Sequence, residues 1–236
     1  MKTNLNKIRE IAKMFLHLPI HKDKHFSPLL CVHHPFLSSS IISLPSKKLE
    51  WVDLLESPEG LKEYYNVMED EIDNGDLHKI YALIRKPYRL TFIKHCESYL
   101  SEKDLAELFA DAWVSSENPN QDANCSISYL IKMFQKCDKK YLMQEEDYKV
   151  YESLPDVFNI YRGVAVGRNP KGLSWTQNLE TAKWFANRFS ASSNYILKAK
   201  VTKKDILCYF NSRNEDEVII NTKNIKVEKI RELITP

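Results

Sequence analysis

The chain has 236 residues, with 34 Lys and Arg against 32 Asp and Glu, so its formal net charge is only +2. That balance provides no global field to attract a nucleic acid or a membrane surface, and a hydrophobic content of 43% excludes gross disorder. No apolar run approaches the roughly 18 residues that cross a bilayer, so we expect a soluble, unprocessed protein with no membrane partner.

Cysteine usage favours a reducing environment. The five cysteines are odd in number and widely scattered, without the paired spacing of a disulfide framework or a zinc knuckle. We therefore expect a cytoplasmic location, in the cell of origin or in a host. Metal ligands crowd only at Cys31-Val32-His33-His34, and adjacent histidines of an extended chain point to opposite sides, so we predict no metal site.

The first 148 residues predict a helical lobe. Residues 1–25 form a basic arm, which is either a solvated helix face or a surface for phosphate or an acidic protein. Apolar spacing predicts a helix from Asn4 to His17, followed by an irregular arm over residues 19–45 and packed helices over residues 49–114. A polar loop follows at residues 118–124, and then a further helix at residues 126–137.

Residues 149–236 predict a β-rich domain. The spacing of the apolar residues changes towards a period of two. Strands are therefore expected at residues 158–161, 195–201, 206–210, 217–220 and 224–231. One helix, from Asn178 to Phe189, interrupts the series, with Asn178 as its cap. The fold class predicted is α+β, with a boundary after residue 148.

Three short motifs in this second part carry chemistry. Tyr161-Arg162-Gly163 ends a strand, where a guanidinium can fork two donors onto phosphate and Gly163 lets a dinucleotide approach the backbone. In Ser174-Trp175-Thr176, strand alternation sends both hydroxyls to one face, where they can contact the dinucleotide, and sends the indole to the other face, into the core. Taken alone, the first is also typical of a surface ion pair before a turn, and the second of an ordinary strand.

The third motif is the pair Glu215 and Glu217. If the strand already begins at Glu215, both carboxylates lie on one face, and their crowding raises the pKa of one of them. In glycosidic chemistry one carboxylate stabilises developing positive charge on a sugar while another activates the nucleophile. A solvated acidic turn is the alternative interpretation.

The order of the three motifs over residues 158–220 resembles the catalytic core of the arginine-serine-glutamate ADP-ribosyltransferases, which include phage-encoded and bacterial-toxin members. The resemblance implies a split β-sheet core and NAD as a substrate, with no metal. It also implies that Arg162 binds NAD, that Ser174 supports the nicotinamide ribose and the glutamate, that Glu217 is the catalytic glutamate, and that Glu215 engages the acceptor.

Further implications of the resemblance concern the target. Cys208 to Asn214 falls where the family has its target-recognition turn, so Tyr209 and Phe210 are candidate acceptor contacts, with burial in the core as the alternative. The second motif departs from the commoner Ser-Thr-Ser, which leaves the role of Thr176 open. We expect mono-ADP-ribosylation of a protein arginine. A nucleic-acid acceptor, NAD glycohydrolysis and a non-catalytic partner-binding protein remain as alternatives.

Overall fold

The computed structural model describes residues 1–24, 31–45, 50–188 and 194–230. Helices and antiparallel strands both occur, which confirms the α+β class. Contacts along the chain group into two compact units, residues 1–101 and 102–236.

In its described residues, the N-terminal unit contains four α-helices and two small hairpins. Its helices are α1 (Leu5–Leu16), α2 (Pro58–Asn74), α3 (Leu77–Leu83) and α4 (Arg89–Cys96). Its strands are β1 (His21–Lys22), β2 (Val32–His33), β3 (Ile41–Ser43) and β4 (Trp51–Asp53), paired antiparallel as β1–β2 and β3–β4. The expected irregular arm over residues 19–45 is thus corrected, because short backbone ladders form despite its prolines.

Capping residues set the limits of the helices in this unit. The Asn4 side chain accepts from the N–H of Lys7 at the start of α1, and the Ser57 hydroxyl accepts from the N–H of Gly60 at the start of α2. These side chains satisfy N–H groups that have no partner within the helix. Gly75 follows the last residue of α2.

The two adjacent histidines lie in different environments. His34 is fully buried, its Nε2 lies 3.1 Å from the Leu16 carbonyl oxygen, and burial lowers its pKa. His33 lies beside the Asp23 carboxylate at 2.9 Å. Within the described ranges, no three His, Cys, Asp or Glu side chains are grouped as metal ligands. No helix in those ranges has the length and apolar character to cross a membrane.

The C-terminal unit combines five helices with one antiparallel sheet, counting the described residues alone. Its helices are α5 (Glu102–Ser115), α6 (Ile127–Lys136), α7 (Lys139–Leu142), α8 (Glu145–Ser153) and α9 (Leu179–Asn187). Its strands are β5 (Val157–Val164), β6 (Ser174–Thr176), β7 (Tyr195–Thr202), β8 (Ile206–Phe210), β9 (Glu217–Ile220) and β10 (Val227–Ile230). Their spatial order is β10-β7-β5-β6-β9-β8.

The compact units divide before α5, whereas the sequence pattern changes near residue 150. The predicted boundary after residue 148 falls inside α8, and both α6 and α8 pack against β8. Helices from residue 102 onward therefore share a core with the sheet. A change in the spacing of apolar residues marks a change from helices to strands, which need not be a domain boundary. These helices bury their apolar faces on the strands that follow.

Strand pairing is shortest at the centre of the sheet, between β5 and β6. β5 pairs with β7 over eight positions but with β6 only at Tyr161↔Thr176. Two three-stranded halves are therefore joined at a single register pair and part beyond it. Helix α9 packs on β5 and ends at Asn187, so the predicted end at Phe189 lies outside the described residues, as does the predicted end of the last strand at Arg231.

Candidate functional site

A cavity of about 870 Å³, open to solvent, lies where β5 and β6 part. The polar segment 116–121, the turn at Arg168 and Asn169, helix α9 and the segment before β9 surround it. Predicted site residues that line it are Arg162, Gly163, Ser174, Thr176, Glu215 and Glu217. All three motifs therefore contribute to one cavity.

Strand register explains this convergence. Tyr161 faces Thr176 across β5 and β6, and Thr176 faces Glu217 across β6 and β9. Motifs far apart in the chain thus occupy three neighbouring strands at the same level. The sheet alone sets their spacing, because residues opposite one another in an antiparallel pair lie about 5 Å apart.

Glu217 is the most enclosed carboxylate of the site, with only 7% of the residue exposed. Its Oε1 accepts from the indole N–H of Trp113 at 3.2 Å, and the Ser174 hydroxyl also hydrogen-bonds to it. Burial raises the pKa of Glu217 above its ordinary value, while these two donors and Arg213 act in the opposite direction. The result is a buried carboxylate that two hydrogen bonds orient.

Glu215 does not share a strand face with Glu217, because β9 begins only at Glu217. The intervening Asp216 has φ +47°, in the left-handed region, so the expected alternation does not reach back to Glu215. Both carboxylates nevertheless meet one cation. Nη2 of Arg213 lies 2.8 Å from Oε2 of Glu215 and 4.0 Å from Oε2 of Glu217.

Arg162 spans the gap between the two halves of the sheet. Its Nη1 donates to the Ser174 carbonyl and its Nη2 to the Asn169 carbonyl at 2.9 Å. Gly172 lies against the guanidinium, where any Cβ would overlap Nη2. Burial lowers the pKa of Arg162 to about 10, which the charge of Glu217 opposes. The two guanidinium nitrogens of Arg162 that were predicted to bind phosphate thus donate to backbone carbonyls.

Two predicted cofactor contacts have structural roles. A Cβ at Gly163 would overlap the Ala182 carbonyl and lie 2.5 Å from the Ala186 nitrogen, so this glycine admits helix α9. Gly163 also lines the cavity. The Thr176 hydroxyl donates to the Glu215 carbonyl at 2.8 Å and accepts from the Asn178 N–H at 3.0 Å. Thr176 thus fixes the backbone at Glu215.

Tyr209 and Phe210, predicted as acceptor contacts, are buried in the core. Strand β8 is covered by α6 and α8, and neither aromatic lines the cavity. The prediction of direct contact is therefore corrected in favour of its alternative. Tyr209 still acts on the site indirectly, because its hydroxyl donates to Oδ1 of Asp216 at 2.8 Å.

Trp113 and Asn120 are among the residues of the site that the sequence did not predict. Trp113 lies on the buried face of α5, where its apolar spacing cannot be told from that of a core residue. Asn120 accepts from the Leu173 N–H at 2.6 Å through Oδ1 and donates to the Ser174 hydroxyl at 3.0 Å through Nδ2. The only feature of the sequence that indicated Asn120 was its place in the polar loop Asn118-Pro119-Asn120.

No protein-family model, no curated protein and no solved structure matches the chain.

Proposed function

We propose that the chain is an NAD-dependent mono-ADP-ribosyltransferase that moves ADP-ribose to a macromolecule, with protein arginine as the preferred acceptor. One observation carries the proposal. Arg162, Ser174 and Glu217 come from three adjacent strands to one cavity, and Glu217 is buried there between the Trp113 indole and the Ser174 hydroxyl.

The held carboxylate suits the chemistry of the nicotinamide bond. When that bond breaks, positive charge develops on the ribose, and a fixed negative group in a site of low polarity stabilises it. Glu217 is such a group, because its two hydrogen bonds orient it before the reaction. Little reorganisation is then needed as charge develops.

Cationic side chains in the same cavity suit the pyrophosphate of NAD. Arg162, Arg168 and Arg188 all line it, and a guanidinium can donate two parallel hydrogen bonds to phosphate oxygens. Arg162 uses two of its five N–H donors on backbone carbonyls. Its buried Nε has no hydrogen-bond partner among the described residues.

The Glu215 carboxylate supports a guanidinium acceptor. It already holds the guanidinium of Arg213 at 2.8 Å, so its position and polarity fit that group. Modifying an arginine of a target would block its bidentate contacts with phosphate or carboxylate. Such an activity suits an effector, a toxin, or a phage protein that acts in the cytoplasm of a host.

The test is to incubate the purified chain with labelled NAD and a bacterial lysate, with Glu217→Gln in parallel. Glu228→Gln is the matched control, because Glu228 is exposed on β10 and does not line the cavity. We expect label on proteins with the unaltered chain and with Glu228→Gln, and none with Glu217→Gln.

The other outcomes separate the alternatives. Label on nucleic acid would change the acceptor class, and free ADP-ribose without labelled targets would indicate a glycohydrolase. If NAD is not consumed and Glu217→Gln behaves like the unaltered chain, the proposed activity is wrong. Partner binding would then be the function to pursue.

A further inference from the structure

Arg213 already occupies the position of an acceptor guanidinium. Its Nη2 lies 2.8 Å from Glu215 and 4.0 Å from Glu217, and 44% of its side chain is exposed. From this geometry we propose that Arg213 is a self-modification site, to which the chain transfers ADP-ribose within the same molecule. The inference rests on the proposed function.

The turn that carries Arg213 is held firmly. The Asn211 N–H donates to Oδ2 of the buried Asp147 at 3.2 Å, and Oδ1 of Asn211 accepts from the Asp216 N–H at 3.0 Å. Asn214 adopts φ +55°, and its N–H donates to the Asn211 carbonyl at 2.9 Å, which closes the turn. These contacts fix the backbone of the turn. Arg213, four residues before Glu217, lines the cavity together with it.

Distances favour transfer at this position. A hydrogen-bonded ribose hydroxyl would lie about 3 Å from a Glu217 oxygen. A nitrogen that is 4.0 Å from a Glu217 oxygen is then a neighbour of the sugar, and reacting atoms need to approach to about 3–3.5 Å. A small displacement of the Arg213 side chain therefore suffices.

The step balances without any further reagent. The bond between C1′ of the ribose and the nicotinamide nitrogen breaks, and its electron pair leaves with neutral nicotinamide. Nη2 of Arg213 passes one proton to the Glu215 carboxylate and donates its electron pair to C1′, forming the new C1′–N bond. The product is an ADP-ribosylated guanidinium that remains a cation.

The same cavity supplies internal controls, because Arg168 and Arg188 line it as well. If proximity to the two glutamates decides the acceptor, the modification belongs on Arg213 alone of the three. Random modification by released ADP-ribose would not make this distinction.

The experiment incubates the purified chain with NAD alone, measures nicotinamide release and maps ADP-ribose by mass spectrometry. We expect a single addition on Arg213, at a rate per molecule that does not change when the protein is diluted tenfold. Arg213→Lys should lose that addition, while Arg89→Lys in the N-terminal unit should retain it. Addition on Arg168 or Arg188 instead of Arg213 would overturn the proposal.

A mixture tests whether the transfer is intramolecular. The unaltered chain is mixed with a mass-tagged Glu217→Gln chain, whose own Arg213 is present but whose site is disabled. We expect addition on the unaltered chain only, and addition on the tagged chain would show transfer between molecules. If nicotinamide is released but Arg213 is not modified, self-modification is wrong and the proposed function still holds. If no nicotinamide is released, self-modification and the proposed function are both wrong.

Discussion

The indole N–H of Trp113 donates to Oε1 of Glu217 at 3.2 Å across 104 residues of sequence. The indole is almost fully buried and packs edge-on against Phe134 with ring centroids 4.9 Å apart, so its N–H has a fixed direction. Glu217 starts β9, and Trp113 lies near the end of α5. The helix therefore serves the site as well as the core.

Replacing Trp113 with Phe should weaken catalysis and shift its pH dependence. A hydrogen bond to a charged group is worth about 1.5–3 kcal/mol, which corresponds to a loss of about 10- to 100-fold in kcat/KM. Because the indole lowers the pKa of Glu217, its removal should also move the acid limb of the profile to higher pH. NAD consumption measured from pH 4 to 9 checks both effects.

Trp175→Phe is the control for that experiment. Its indole N–H donates to the Gly172 carbonyl at 3.1 Å, so this variant also loses a buried hydrogen bond. We expect comparable destabilisation without a shift of the acid limb. An equal shift in both variants would contradict a specific role for Trp113.

Asn120 should act through Ser174. Because Nδ2 of Asn120 donates to the Ser174 oxygen at 3.0 Å, the hydrogen of that hydroxyl is directed towards Glu217. Asn120→Asp keeps an acceptor for the Leu173 N–H but gives Ser174 a competing carboxylate. We expect a loss in kcat of about tenfold, on the scale of one hydrogen bond, with the acid limb moved to higher pH.

A double-mutant cycle with Ser174→Ala checks that coupling. If Asn120 acts only by orienting the hydroxyl, Asn120→Asp should add little once the hydroxyl is gone. Additive losses in the double variant would mean that Asn120 contacts the ligand itself.

The sequence predicted the strands and motifs of the site better than their surroundings. Arg162, Ser174 and Glu217 were predicted because a guanidinium, a hydroxyl and a carboxylate follow one another in that order on the predicted strands, and the structure brings all three to one cavity. The partners of those groups were not found. Trp113 and Asn120 reach the site only through packing of the C-terminal unit, and no local period encodes which side chain a distant carboxylate will meet.

Glycines show the same limit. Gly163 was predicted to admit a ligand, but the neighbour that it admits is the backbone of α9. The absence of a side chain indicates that something approaches closely and does not identify what approaches. Likewise, strand alternation at Glu217 could not be extended to Glu215, because Asp216 leaves the extended region.

Gly163→Ala should destabilise the C-terminal unit substantially. The added Cβ would overlap the Ala182 carbonyl and lie 2.5 Å from the Ala186 nitrogen, and backbone cannot move aside as a flexible side chain can. We expect a loss of about 3 kcal/mol in the free energy of unfolding, the upper end for overpacking. Urea unfolding followed by circular dichroism measures it.

Gly167→Ala provides the comparison. Gly167 has φ +78° and nothing within 4 Å of an added Cβ, so only backbone strain of about 1 kcal/mol opposes the change. The prediction about helix contact is wrong if the two variants lose the same stability.

Glu217 should lower the stability of the fold at neutral pH. Burial raises its folded pKa above the value of about 4.5 for an exposed glutamate, so the folded state binds this proton more tightly than the unfolded chain. The contribution of Glu217 to stability is then fully present below the unfolded pKa and is lost as pH rises through the folded pKa. At pH 7, above the unfolded pKa, this contribution is reduced, so Glu217 makes the fold less stable than it is at acid pH.

Glu217→Gln should therefore raise Tm at pH 7, even though it removes activity, and the gain over the unaltered chain should shrink as pH falls to 4. Thermal unfolding of both chains at several pH values measures the difference. Glu228→Gln, at an exposed position on β10, is the matched control and should show no such pH-dependent gain. A Tm of Glu217→Gln that falls below that of the unaltered chain at pH 7 would mean that the hydrogen bonds from Trp113 and Ser174 outweigh the cost of burying the charge.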